Sequence, residues 1–163
     1  MKCIECGKAM KVTRERYRYE ESGLPGLFLD NVEVRRCHGC GEREVSIPDM
    51  EGLHRAIAKC LVEKKPSLTG SEIRFLREFL DLTAVALAAQ MGIDAATLSR
   101  WENDVQNPAA TADRLVRMMV ASSAGFDEPN NWLTTVGQEA AKALPLDMRH
   151  TNQKWRAQER HAL

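Results

Sequence analysis

The chain has 163 residues, 44% of them apolar and 28% charged, and its 23 Lys and Arg are matched by 23 Asp and Glu. Such a composition predicts a soluble globular protein of one ordinary domain or two small ones, and the charge balance excludes a generally polycationic nucleic-acid or membrane binder. No apolar run is long enough to span a bilayer, and charges and a cysteine interrupt the first residues, MKCIEC, so neither a membrane span nor a signal peptide is read here. The expected location is the cytoplasm, where thiols stay reduced and paired cysteines point to metal or catalysis rather than to disulfides.

Residues 1–48 alternate in character, as in MKVTRERYRY and FLDNVEVRR, and predict short antiparallel strands on either side of the turn SGLPG. Residues 49–64 change to helical spacing, with Met50, Leu53, Ile57, Cys60 and Leu61 on one face. KKPS interrupts that pattern, and Lys65–Ser67 is the expected domain boundary. Thr69 and Glu72 in TGSE match a capping box, opening a helix that carries Ile73, Leu76, Phe79 and Leu80 inward. Thr83 caps a second helix that Gly92 breaks, and Asp94 caps a third running through Trp101 and Glu102. Asn107-Pro108 leads into a longer fourth helix holding Leu115, Met118 and Met119. Beyond Gly125, NNWLTTVGQEAAKAL sets Trp132, Leu133, Val136, Ala140 and Leu144 on one stripe and predicts a helical extension that closes the core. The final RHTNQKWRAQERHAL lacks a stripe and is expected to be loosely ordered. The fold class is α+β. A zinc ribbon of short antiparallel strands plus a helix (residues 1–65) joins an all-α helix-turn-helix bundle (66–125), followed by a C-terminal helical extension and tail (126–163).

The unit C-x-x-C-G occurs twice, as Cys3, Cys6 and Gly7 and again as Cys37, Cys40 and Gly41. Each pair offers two sulfurs to one side of an ion, and the glycine permits the positive backbone angle that tightens such a turn. Together they make the four thiolates of a closed structural Zn²⁺ site, one ion per chain, in a segment close to the size that rarely folds without a metal. The same four thiolates also suit iron, whereas a dithiol redox centre needs only one pair. His38, inside the second turn, is expected to face solvent, and Cys60 to be a small core residue.

In IDAATLSRWEN, Leu98 and Trp101 share one helical face while Ala95, Ala96, Ser99 and Arg100 share the other. A helix inserted in a major groove needs this division into an anchoring side and a side of small residues with a long donor. The stretch LTGSEIRFLREFLDLTAVALAAQMGIDAATLSRWENDVQNP resembles the Xre/Cro-type helix-turn-helix. Preceded by two CxxCG units, it is similar to the MqsA family, the YgiT-type zinc-finger antitoxins, over residues 1 to about 120. The resemblance implies a ribbon that binds a toxin, typically a ribonuclease, and a helical module that dimerises on a palindromic operator of its own operon. By position it places the metal ligands on Cys3, Cys6, Cys37 and Cys40 and the base contacts on Ala96 and Arg100. Ala96 departs from the family's asparagine and Ala84 from a frequent glutamine. Phosphate contacts then rest on Thr83, Ser99, Asn103 and Asn107; a cap or a solvated polar group is the plainer reading of each, and for Asn103 and Asn107 the two readings stand level.

Residues 66–125 carry five Lys or Arg against seven Asp or Glu, which weighs against strong phosphate binding unless Arg74, Arg77, Arg114 and Arg117 form a local basic face. RERYRY reads as a strand with one exposed face, and Tyr17, Tyr19 and Phe28 are the expected anchors for a protein partner, with Arg35 and Arg36 on the rim. No residue constellation suggests catalysis. A DNA-binding repressor and antitoxin leads. A regulator of the same build without a toxin and a protein-binding adaptor are the alternatives.

Overall fold

The computed structural model describes residues 1–126 and 132–158. Its strands and helices run in the order β1 (Met10–Arg18), β2 (Leu27–Cys37), β3 (Arg43–Ser46), α1 (Met50–Glu63), α2 (Gly70–Phe79), α3 (Ala84–Met91), α4 (Ala95–Glu102), α5 (Ala110–Ala124), β4 (Leu146–Thr151) and β5 (Lys154–Gln158). The mixed α+β class follows, with a strand-rich end that carries the cysteines and a helical half.

Strand β2 is the spine of the sheet. It pairs antiparallel with β1 along one edge. Its other edge is divided between β3, antiparallel near the cysteines, and β4, parallel at the far end. The alternation of β2 changes phase midway: Leu27 and Leu29 are buried, then Val32 and Val34. The register shifts at this point, and Asn31 takes a φ of 61°. A β-bulge admits one extra residue and asparagine tolerates the left-handed conformation, so both halves of the strand turn their apolar side to the core.

The helix starts follow the local signals. Glu72 of the capping box accepts the Thr69 amide proton at 2.8 Å, Thr83 caps α3 through the Ala86 amide, and Asp94 caps α4 through the Thr97 amide at 2.9 Å. Gly92 ends α3 at a φ of 68°, in the left-handed conformation that glycine adopts without a Cβ penalty. Gly70 is fixed by contact: a Cβ there would lie 2.4 Å from the Trp101 carbonyl oxygen, so only glycine lets α2 start against the end of α4.

The expectations for residues 126–163 need correction. Beyond Trp132 the described part of the extension is not helical: residues 133–137 form turns, and Leu146–Gln158, which take in most of the tail expected to be loosely ordered, form a β-hairpin that completes the sheet. Residues 127–131 and 159–163 lie outside the described residues. The hairpin turns on Asn152 and Gln153, both at positive φ, which is the two-residue geometry that matches strand twist. Gly137, at a φ of 67° against the Asp113 carboxylate, breaks the helical spacing of the preceding segment. The inward stripe of α5 is Asp113, Val116, Arg117, Val120 and Ala121, while Leu115 is exposed and Met118 and Met119 are half-buried. The segment expected to be the domain boundary, Lys65–Ser67, is clamped. The Gly137 amide bonds the Lys65 carbonyl, the Ser67 amide bonds the Glu139 carbonyl, and Pro66 pairs with Glu139 as a β-bridge.

Beneath that clamp lies Arg117, fully buried. Its guanidinium bonds the carbonyl oxygens of Leu61, Val62, Lys64 and Pro66 and the carboxylate of Asp113. Asp113 in turn accepts the Leu68 amide at 2.7 Å. A second buried pair, Lys64 with Glu72, sits beside it, and Glu72 also accepts the Leu144 amide. One apolar core joins sheet and helices across this junction, from Leu27 and Val34 through Leu61 and Leu76 to Leu98, Val136 and Met148.

Candidate metal centre and nucleic-acid interface

Each CxxCG unit closes the same turn. Gly7 donates its amide to the Cys3 carbonyl and Gly41 to the Cys37 carbonyl, at 2.9 and 3.0 Å, with both glycines at φ above 70°. The flanking bonds also correspond: Cys3 to Lys8 and Cys37 to Glu42, each at 2.8 Å. Strands β1, β2 and β3 carry the two turns together, so that the four sulfurs lie within 4.8 Å of one another. The Cys6 and Cys37 sulfurs are 3.3 Å apart and those of Cys3 and Cys40 are 3.6 Å apart, too far for disulfides. Four thiolates around a tetrahedral ion at Zn–S distances lie about 3.8 Å apart, so the donor set fits a metal ion. Backbone amides of Cys40 and Gly39 together with the Cys6 side chain hold the Cys37 thiol down at about 6. Against a hydrogen bond from the Glu42 amide, the neighbouring sulfurs of Cys6 and Cys3 push the Cys40 thiol up to about 12. Four crowded sulfurs cannot all ionise without a cation between them, and a dication supplies that charge. His38 is exposed and stands outside the cluster, and Cys60 is half-buried in α1 with its thiol pushed up by burial.

The helical half builds a second site from the inside out. Leu98 and Trp101 anchor α4 in the core. Glu102, the last residue of α4 and only 8% exposed, receives both Nε and Nη2 of Arg77 at 2.6 and 3.1 Å, and Nε of Arg74 at 3.4 Å. Asp104 takes the Gly70 amide at 2.7 Å. These bonds fix the C-terminal end of α4 to α2. Sequence reasoning missed Glu102, whose only available signal was a carboxylate at the end of a helix with two arginines spaced three apart on α2.

Ala95, Ala96, Ser99 and Arg100 are all exposed on α4, opposite the anchoring side. Arg100 forms no ion pair among the described residues; its one bond is a long contact of 3.4 Å to the Thr97 hydroxyl. Thr83 spends its hydroxyl oxygen on the cap of α3, and the Asn103 amide donates to the Ser99 carbonyl at 2.7 Å. The basic face expected from Arg74, Arg77, Arg114 and Arg117 does not form. Arg117 is buried, Arg77 and Arg74 are committed to Glu102, and Arg114 is half-buried with its Nε on the Val136 carbonyl. Charged residues that carry internal roles look like surface cations in a sequence.

The expected partner anchors on the sheet are corrected as well. Tyr17 and Tyr19 are buried. Tyr17 donates to Glu21, and Tyr19 meets His54 Nε2 at 3.0 Å and stacks on that ring. Phe28 is half-buried beneath the Arg16 guanidinium. Arg35 pairs with Glu33 and Glu44, and Arg36 with Glu15.

A helix-turn-helix family model matches residues 73–115, which span α2 through the first turns of α5. No curated protein matches the chain, and no solved structure does. Among the described residues, no helix is long and apolar enough to cross a membrane. Residues 73–115 are thus an Xre-type helix-turn-helix domain, and a chain that joins this DNA-binding domain to a four-cysteine cluster able to hold a metal ion is a DNA-binding transcription regulator.

Proposed function

We propose that this chain is a sequence-specific transcriptional repressor of the cytoplasm, acting as a homodimer on a palindromic operator of its own operon. Two copies of α4, about 34 Å apart, enter successive major grooves and exclude polymerase. The observation that carries the reading is the exposed guanidinium of Arg100, with no ion pair among the described residues, on a helix face otherwise made of Ala95, Ala96 and Ser99. A guanidinium there meets the two acceptors of guanine, while Thr83, Ser99 and Asn103 meet phosphates. Dimerisation is assigned to the depression of about 560 Å³ lined by Leu80, Leu82, Gln90, Met118, Met119 and Ser122, among others. Its lining is uncharged, so a two-fold axis through it sets no like charges against each other. One Zn²⁺ on Cys3, Cys6, Cys37 and Cys40 serves structure and no chemistry.

The resemblance of the combined architecture to the antitoxin family supports a second role, in which the sheet end covers a toxin protein. With Tyr17 and Tyr19 buried, the partner surface in this reading consists of the exposed side chains of β1. The adaptor alternative draws support from one observation, the commitment of Arg74, Arg77 and Arg117 to internal bonds, which leaves few cations for phosphates.

Two measurements test these assignments. In a gel shift with the DNA upstream of its own gene, the zinc-loaded chain is expected to bind. Arg100→Ala is expected to weaken that binding by about 1–3 kcal/mol, roughly fivefold to a hundredfold, without loss of stability because the side chain is exposed. Equal binding by the variant removes the base contact, and absence of any shift by the native chain favours the adaptor. For the antitoxin role, the product of the adjacent gene is expected to co-purify with the tagged chain; its absence from the eluate defeats that role.

A further inference from the structure

The reading end of α4 is unusual in what it lacks. The N-terminal turn of a recognition helix is the part that meets base edges. Here that turn is Ala95, Ala96 and Thr97, capped by Asp94. Thr97 gives its amide to Asp94 Oδ1 at 2.9 Å and its hydroxyl to Asp94 Oδ2 at 2.7 Å, so both carboxylate oxygens already accept bonds within the cap. What remains for the groove is two exposed methyl groups. The apolar character continues on the neighbouring elements: Val85, in the first turn of α3, is 68% exposed, and Val105, just after α4, is 72% exposed. The nearest long polar side chain on this face is Arg100, a full turn further on, whose guanidinium makes only a long contact of 3.4 Å to the Thr97 hydroxyl among the described residues.

An alanine methyl cannot donate or accept a hydrogen bond. Set against the N4 amine of cytosine or the O6 and N7 of guanine, it strips water from a polar edge and returns nothing. The one apolar feature in the major groove is the C5 methyl of thymine. We infer that Ala95 and Ala96 make this chain a methyl reader, which selects thymine beside the guanine of Arg100 and accepts 5-methylcytosine, whose C5 methyl occupies the same place, in thymine's stead. This rests on the proposed operator contacts of α4 and names their chemistry. It also gives the scarcity of free cations a counterpart, since apolar contact with bases does not depend on counterion release.

The test uses the full-length, zinc-loaded chain and duplexes enriched from a random pool. In the enriched site each thymine is exchanged for deoxyuridine, which removes only the C5 methyl, and separately each T·A pair for C·G or 5-methyl-C·G. Deoxyuridine next to the Arg100-dependent guanine is expected to lower affinity about fourfold per methyl, the worth of one buried apolar carbon. Methylated C·G is expected to bind more tightly than plain C·G at the same position. In Ala96→Gly or Ala95→Gly the ratio of thymine to deoxyuridine affinity is expected to fall towards one, and because it is a ratio within one variant it is insensitive to the stability that glycine costs. Uniform tolerance of deoxyuridine, with binding still lost in Arg100→Ala, overturns the methyl contact and leaves the operator reading standing. An unchanged ratio in both glycine variants overturns the assignment to these alanines. If no sequence is enriched, the operator reading fails and this inference with it.

Discussion

Arg117→Ala is expected to remove most of the chain's stability and to leave it largely unfolded at 37 °C. The guanidinium satisfies four backbone carbonyls in the stretch from Leu61 to Pro66, and it neutralises Asp113, both partners being fully buried. Removing one member of a buried ion pair costs about 3–5 kcal/mol, because the other is left as an uncompensated charge. Each carbonyl stranded without a donor or water adds about 1–3 kcal/mol. Small proteins hold about 5–15 kcal/mol in all, so the loss competes with the total. Arg117→Lys keeps the charge but offers a single compact ammonium with three donors in place of a fork with five, and an intermediate loss is expected. Urea unfolding is the measurement: a native-like midpoint for the alanine variant would mean that water or another side chain serves these groups. The effect is expected in both halves together, because the carbonyls belong to the segment leaving α1 while Arg117 and Asp113 belong to α5. Lys64 repeats the arrangement, giving its ammonium to Glu72 at the start of α2 and to the Lys142 carbonyl.

The same residues show why part of the fold was legible in the sequence and part was not. Caps at Thr69, Thr83 and Asp94 and the break at Gly92 are local: donor, acceptor and backbone angle lie within four residues, and the reading holds. The two CxxCG turns are local as well, and their glycines fix where the sulfurs point. The stripe of α5 was not legible because its inward face includes Asp113 and Arg117, whose partners include backbone groups far away in the chain. Weighted by hydropathy alone, Leu115, Met118 and Met119 look more deeply buried than they are. The hairpin β4–β5 escaped for a related reason. Its inward residues, Leu146, Met148 and Trp155, do alternate, but it turns on Asn-Gln and lacks the glycine that marks most two-residue turns. Its place beside β2 depends on a parallel pairing across more than a hundred residues, of Leu27 with Leu146 and Leu29 with Met148. Of the set proposed to face DNA, the division of α4 into faces was readable from period alone. The clamp of Glu102 by Arg77 required the fold.

Cys37→Ser is expected to abolish metal binding and to loosen the cysteine end of the sheet while the helical half stays folded. Native protein, freshly purified, is expected to carry one zinc per chain by elemental analysis, and the variant none. A hydroxyl in place of one of four thiolates leaves an incomplete donor set, with the three remaining sulfurs still crowded within 4.8 Å and no cation to relieve them. Structural zinc contributes on the order of 10 kcal/mol when an isolated motif folds around it. The loss here is expected to be smaller, because β2 is also held by β1, by β4 and by the core through Leu27, Leu29, Val32 and Val34, none of which belongs to the four-cysteine cluster. The elements expected to depend on the ion are the pair of turns at residues 3–7 and 37–41 and the short strand β3 between them and α1. Hydrogen exchange separates the possibilities: protection is expected to vanish at Met10, Cys37 and β3 and to persist in α1 and α5. Cys60→Ser, which alters a thiol outside the cluster, is expected to keep its zinc and serves as the control. Full zinc content in Cys37→Ser would remove Cys37 from the ligand set. Loss of protection throughout the chain would show instead that the metal holds the whole fold, through the sheet that the C-terminal hairpin completes.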